Sequence, residues 1–242
     1  MAVTRLYLLV YGRNEASGAP APGYLIQTDD GKNVLVDTGY SRDTIGAYKQ
    51  PDYQGMRVDE QNYVTGQLAL IGLEPGGIHY LVCTHLDPDH AGGHDEFPGA
   101  ELVIQRTQRE AARGAVHPRF DRTRAHWDDP RLHYREVEGD TELLPGIELI
   151  EASGHVPGLQ AVLVRLPETG PVLLAIDAMT RDIAGYTPET RPIGPFDMDE
   201  AGVRASTRKL LDLAARERVT LTIFGHDGPQ WRTLRTAPEF YT

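Results

Sequence analysis

One cysteine, Cys83, occurs in 242 residues. No intrachain disulfide can form, and nothing argues for an oxidising compartment. It falls inside the apolar run 78–83, where a thiol serves as a small apolar residue. Also missing is any apolar run near the roughly 18 residues that a membrane span needs. Arg5 is followed only by the short run 6–10, too brief for a signal peptide. A cytoplasmic protein without a membrane partner is expected. Positive charge is scarce: 24 Lys and Arg stand against 35 Asp and Glu, a net charge of −11 spread along the chain. Binding to nucleic acid normally requires a basic footprint, so such a partner is not expected. No fixed-period repeat, low-complexity tract or linker divides the chain. Residues 1–242 therefore read as a single domain, long enough for a sizeable core.

What the chain does have is a dense cluster of donors. Thr84-His85-Leu86-Asp87-Pro88-Asp89-His90-Ala91-Gly92-Gly93 packs two imidazoles and two carboxylates into six residues after the run 78–83. Such a run ending in a ligand-rich turn reads as a buried strand that delivers side chains to one rim of a sheet. His and Asp suit zinc, iron or manganese. Three further segments each follow an apolar run and each carry a ligand type: Ser153-Gly154-His155, Ile176-Asp177-Ala178 and Gly225-His226-Asp227.

Periodicity supplies the frame. Strands are expected over 6–11, 24–28, 32–37, 101–105, 132–137, 147–151, 161–166, 172–176 and 219–224. Asp29-Asp30-Gly31 suits a hairpin between the second and third. Helices are expected over 65–73, 107–113 and 199–215. The last has Val203, Leu210, Leu211 and Ala214 on one apolar face and a Glu200–Arg204 pair outside. Residues 113–130, mixed in charge, read as a solvated, irregular face. Residues 40–66 dissolve into Gly, Pro and polar residues around Tyr48, Tyr53, Met56 and Tyr63. A loop of that length is usually functional, here a lid or substrate wall, with a dimer contact as the alternative.

In these motifs the chain resembles the metallo-β-lactamase superfamily, and within it the N-acyl-homoserine lactonases. The likeness runs through Leu35-Val36-Asp37-Thr38-Gly39, the His85 motif, Val103-Ile104-Gln105-Arg106-Thr107, Glu138-Gly139-Asp140, Pro145-Gly146, Gly154-His155-Val156-Pro157-Gly158, Leu174-Ala175-Ile176-Asp177-Ala178 and Phe224-Gly225-His226-Asp227. It implies an α/β fold, a four-layer αββα sandwich. By the same resemblance His85, Asp87 and His155 would bind a first metal, and Asp89, His90 and His226 a second. Asp177 would bridge them. Two divalent cations about 3.5 Å apart can hold a bridging hydroxide and polarise a carbonyl. Asp89 would also shuttle a proton to the leaving oxygen. Asp37 would orient a metal-bound histidine or its loop by hydrogen bonds.

Two positions depart from the lactonase pattern. Asp87 stands where those enzymes usually have His, which hardens the first site toward iron, manganese or cobalt. Zinc remains the leading expectation for the pair of divalent ions, with iron or manganese as options. A carboxylate at this place also resembles the flavodiiron oxygen reductases, which have Glu there. Thr180 stands where the lactonases have a Tyr that donates to the lactone carbonyl. Thr180 over a shorter reach, or Tyr186 folding back, would have to replace that donor. The expected activity is opening of a lactone ring, such as that of an acyl-homoserine lactone, with a small neutral or amphipathic substrate and a homodimer as a further option. The alternatives are hydrolysis of another ester, amide or lactam, a di-iron oxidoreductase, for whose flavin domain the chain has no room, and a structural metal site.

Overall fold

Alternation along the first strand already separates two cores. In β1 (Val3–Asn14), Leu6, Leu8 and Val10 face one apolar cluster, while Tyr7, Leu9 and Tyr11 face another. Successive side chains of a strand point to opposite faces, so a strand apolar at both parities is covered on both sides. The computed structural model of the chain describes residues 2–47, 55–114 and 117–242. Among them, β1 lies in a seven-stranded sheet with β2 (Pro20–Thr28), β3 (Asn33–Val36), β4 (Met56–Arg57), β5 (Tyr80–Val82), β6 (Glu101–Gln105) and β7 (His133–Val137), in the order β4-β1-β2-β3-β5-β6-β7. A five-stranded sheet follows: β8 (Thr141–Leu144), β9 (Ile147–Glu151), β10 (Gln160–Leu166), β11 (Gly170–Ile176) and β12 (Leu221–Phe224), in the order β12-β11-β10-β9-β8.

The two sheets share a central core. Leu8, Ile26, Val36 and Val103 from the first meet Leu149, Val162, Leu174 and Ile223 from the second. On the outer face of the first sheet, Val64 and Leu68 of α1 (Val64–Ala69) join Leu9, Leu25, Leu81 and Leu102. On the outer face of the second, Leu210 and Leu213 of α4 (Glu200–Arg216) join Ile150, Leu163 and Leu173. Helix, sheet, sheet, helix is the expected αββα sandwich. The remaining α-helices are α2 (Arg106–Arg113), α3 (Arg124–Trp127) and α5 (Gly228–Trp231). No helix among the described residues is long and apolar enough to cross a membrane.

The hairpin forms as expected, with Tyr24 opposite Val36 and Ile26 opposite Val34. Helix α4 is capped by the Asp199 side chain, which accepts from the Ala201 N–H at 3.0 Å, and Arg204 pairs with Glu200 at 2.7 Å. Its buried face differs from the sequence expectation. Val203, Leu210 and Leu213 are buried, whereas Leu211 is exposed. Leu211 lies about 100° around the helix from Leu210, off the stripe that faces the sheet. The segment 113–130 also differs. Phe120 and Trp127 are fully buried, and the Trp127 indole N–H donates to the Phe120 carbonyl at 2.9 Å. These two aromatics fasten a stretch whose mixed charge makes it read as solvated.

Candidate metal centre

The ligand-rich turns come to one rim because each follows a strand: His85–His90 after β5, His155 after β9, Asp177 after β11 and His226 after β12. Two backbone features serve this convergence. Ile176 adopts φ 50°, ψ −138° immediately before Asp177. A β-branched residue resists that region, and the strain, on the order of 1–3 kcal/mol, persists only where packing over-determines it. Ile176 is fully buried in the central core. Gly154 adopts φ 141°, and a Cβ there would sit 2.2 Å from the Val203 nitrogen. Glycine thus lets the His155 loop pack directly on the start of α4.

Each of the four histidines has its outer nitrogen fixed by a protein group. His90 Nδ1 lies 2.8 Å from Asp37 Oδ2. His155 Nδ1 lies 2.9 Å from Asp197 Oδ1, and His226 Nδ1 lies 2.7 Å from the Pro20 carbonyl. His85 Nδ1 lies 3.0 Å from the Thr84 hydroxyl. That hydroxyl donates to Asp37 Oδ2 at 2.6 Å, so it accepts from the His85 ring. Asp37 is itself positioned by the Thr84 backbone N–H at 2.8 Å. With Nδ1 engaged outward, every Nε2 is left facing inward, the arrangement of a metal-binding imidazole.

The inward atoms converge on Asp177. Its Oδ1 lies 3.0 Å from His226 Nε2 and 3.5 Å from His90 Nε2. Its Oδ2 lies 3.5 Å from His155 Nε2. One carboxylate therefore faces both halves of the cluster. His85, His155 and Asp177 form one compact donor set, and Asp89, His90 and His226 a second, with the ligand atoms of each within 4.8 Å of one another. Asp87 is beside the first set rather than inside it: its Oδ2 lies 3.1 Å from His155 Nε2 and 3.4 Å from His85 Nε2. His85 Nε2, His90 Nε2, Asp87 Oδ1 and Asp177 Oδ1 are buried and have no protein hydrogen-bond partner. Buried polar atoms are rarely left so, and their presence within and beside the two donor sets fits divalent cations.

Electrostatics point the same way. Burial opposes charge on His90, but Asp89, Asp177 and Asp37 outweigh it and push its pKa up to about 10. His155 is pushed up to about 9 against burial by hydrogen bonds to Asp197 and Asp87. His226 reaches about 9, against burial, because of Asp177. His85 goes down instead, through burial and repulsion from His90. Asp87 and Asp177 are held well below the carboxylate range despite burial, the first by His155 and His85, the second by His226 and His90. These groups favour positive charge among carboxylates, which a metal supplies more effectively than protons.

The donors open onto a cavity of about 800 Å³ lined by Asp87, Asp89, His155, Asp177 and His226, and also by Tyr40, Met56, Ile183, Tyr186, Ile193 and Phe196. Thr180 lines it too, and its carbonyl accepts from the His226 N–H at 2.8 Å. Tyr186 is also on the wall, 51% exposed. Of the aromatic and Met residues expected to form a wall, Met56 lines the cavity. Tyr63 does not: it is buried in the outer core, its hydroxyl donating to Glu96 at 3.0 Å. Tyr48 and Tyr53 lie outside the described residues. Asp227 caps α5 and accepts from Asp182, a turn residue rather than a ligand.

Three residues at the site escape the sequence reading. Asp197 sits in an irregular stretch with no motif around it. Tyr40 lines the cavity, and burial together with Asp89 pushes its phenol well above the usual tyrosine range. Arg119 extends from the supposedly solvated segment to contact Asp87 Oδ2, and lies 3.2 Å from His155 Nε2. The Phe120–Trp127 pairing beside it was the available signal.

The model of the metallo-β-lactamase superfamily matches residues 19–226. The chain belongs to the metallo-β-lactamase superfamily. An N-acyl homoserine lactonase of Bacillus thuringiensis is 31% identical over 264 residues, covering 99% of this chain and 100% of the relative. A solved N-acyl homoserine lactone hydrolase, with the product N-hexanoyl-L-homoserine bound at its catalytic metal centre, superposes with a TM-score of 0.84 at 28% identity, covering 100% of both chains. A B. thuringiensis variant with N-decanoyl-L-homoserine at its active site also gives 0.84, at 29% identity and full coverage of both chains. This superfamily member is accordingly a metal-dependent hydrolase, and its His/Asp clusters are able to hold two metal ions.

Proposed function

We propose that this chain opens the ring of N-acyl-homoserine lactones, a quorum-quenching activity, using two divalent ions held by His85, Asp87 and His155 and by Asp89, His90 and His226, with Asp177 between them. The single observation that carries the reading is the Asp177 carboxylate set among four imidazoles with fixed outer nitrogens, with Asp177, His155 and His226 lining a cavity that also presents Ile183, Ile193 and Phe196. Relatives of full-length coverage that act on these lactones support the substrate class. When bound, the two cations supply an activated water and a polarised carbonyl. Zinc leads for their identity, with iron or manganese favoured to the extent that Asp87 acts as a hard ligand.

The chain's own groups do the rest. Asp177 holds the two donor sets in register. Asp89, partly exposed at the cavity floor and 3.7 Å from both His90 and His226, is placed to carry a proton to the leaving alkoxide. Thr180 supplies the carbonyl donor over a short reach, with Tyr186 the alternative from the rim. Ile183, Ile193 and Phe196 receive an acyl chain. The small, neutral or amphipathic substrate suits an acidic protein of net charge −11. A single domain over 1–242, a cytoplasmic location, a homodimer and no nucleic-acid partner complete the proposal.

The test combines elemental analysis after purification without added metal with proton release from a panel of lactones, esters and β-lactams. Two metals per chain and opening of acyl-homoserine lactones are expected. Cleavage of another ester or lactam, with no lactone opened, would overturn the substrate.

A further inference from the structure

Asp87 brings a third carboxylate to a cluster that already contains Asp89 and Asp177, and the structure places a cation directly against it. Arg119 Nη2 contacts Asp87 Oδ2 and lies 3.2 Å from His155 Nε2. Its Nη1 donates to the Phe196 carbonyl at 2.6 Å. Both partners are largely sheltered, with side-chain exposures of 14% for Arg119 and 6% for Asp87. The arginine cannot be deprotonated in a protein and presents its donors in a planar fork, so its charge is permanent. The backbone on its C-terminal side is fastened by buried Phe120 and Trp127. Asp87 Oδ1, on the other hand, is buried without a hydrogen-bond partner. Asp87 Oδ2 meets the guanidinium and also lies 3.1 and 3.4 Å from His155 and His85 Nε2, so the fixed cation and the first donor set share one carboxylate oxygen.

We infer that Arg119 is the internal counter-cation of the first metal pocket, and that Asp87 and Arg119 act as one unit replacing a single neutral ligand. The carboxylate adds negative charge beside the first metal and the guanidinium offsets it. The pair thereby keeps the Lewis acidity that a bare third carboxylate would weaken. Phe196, whose carbonyl holds the guanidinium, is also a cavity wall residue, so Arg119 joins the metal pocket to the substrate rim. Arg119 is in this sense a positioning residue: it acts on the reaction through Asp87.

This rests on the proposed dinuclear site, and a double-mutant cycle read out by metal affinity tests it separately. Cobalt(II) and zinc would be titrated against a chromophoric chelator for the wild type, Arg119→Gln, Asp87→His and the double variant. Arg119→Gln is expected to tighten the weaker of the two bound ions, and Asp87→His to weaken it, each by roughly 10- to 100-fold. In the Arg119→Gln background, Asp87→His should cost markedly less, because no unpaired guanidinium then faces the cation. Arg119→Lys, which keeps the charge, should stay near wild type. Thermal unfolding of each chelated variant separates misfolding from charge. Additive effects of the two substitutions, or equal effects of Arg119→Gln and Arg119→Lys, would overturn the inference while leaving two-metal binding intact. Failure of the wild type to bind two ions would instead overturn the functional reading beneath it.

Discussion

The floor and the rim of the cavity are built on opposite principles. At the floor, His85, His90, His155 and Asp177 are buried, and the three rings are oriented by Thr84, Asp37 and Asp197. At the rim, Tyr186 and Phe196 are 51% and 54% exposed and belong to the irregular stretch between β11 and α4. Chemistry that tolerates little displacement is mounted on strand ends locked by a double-sided core. Selectivity among acyl chains is left to loops that can change without disturbing that core. Changes at the floor should therefore alter metal binding and rate, and changes at the rim should alter only which substrate is preferred.

Asp177→Ala removes the one group that faces both donor sets. It should empty the site and lower lactone turnover by about 10³-fold or more, since metal assistance is worth several kcal/mol. Metal analysis alongside kcat would show whether both losses occur together. Asp89→Asn should keep the fold and much of the metal while lowering kcat by about 10²–10³-fold. A variant that retains full kcat would remove Asp89 from proton transfer. Asp37→Asn leaves the ligands untouched but alters the partner of His90 and Thr84, and should weaken metal binding by roughly 10- to 100-fold. At the rim, Phe196→Ala should raise KM for long-chain lactones by about 10-fold and leave short-chain substrates near wild type. Equal effects on both chain lengths would show that the rim does not sort acyl chains.

The smallest effect is on pH dependence. In chelated protein His90, His155 and His226 titrate near 10, 9 and 9, above the ordinary value of about 6.5. Groups with raised folded pKa contribute stability that is fully present below about pH 6.5 and is lost as pH rises through 9 to 10. Metals compete with those protons. The difference in Tm between loaded and chelated protein should widen from pH 6.5 to 9, and a constant gap would place the protons elsewhere.

Much of the floor could be read from the chain because its donors are concentrated: two imidazoles and two carboxylates in the run His85–His90, then single ligands after apolar strands. The sandwich, by contrast, was implied by the resemblance of the motifs rather than by the strands themselves. The partners of those donors were far less visible. Asp37 carries a strand-end Asp-Thr-Gly and stood out, but Asp197 acts from an irregular segment, and the partner from Pro20, at the start of β2, is a backbone oxygen, which has no sequence signature. Arg119 was hidden by its own neighbourhood, where exposed Arg, His and Asp outnumber the two buried aromatics that fix it. Leu211 was misread for a simpler reason: an apolar residue at a plausible spacing does not reveal where the sheet lies.

The four imidazoles owe their orientation to Thr84, Asp37, Asp197 and Pro20, all of them groups of the protein itself. Rotamer freedom in these rings is thus removed as the chain folds, not as the metal arrives. Ion uptake then resembles loading a rigid host: fast once water is shed, with little change in heat capacity and little reward from refolding. Such a centre is expected to give nearly the same far-ultraviolet circular dichroism with and without its ions.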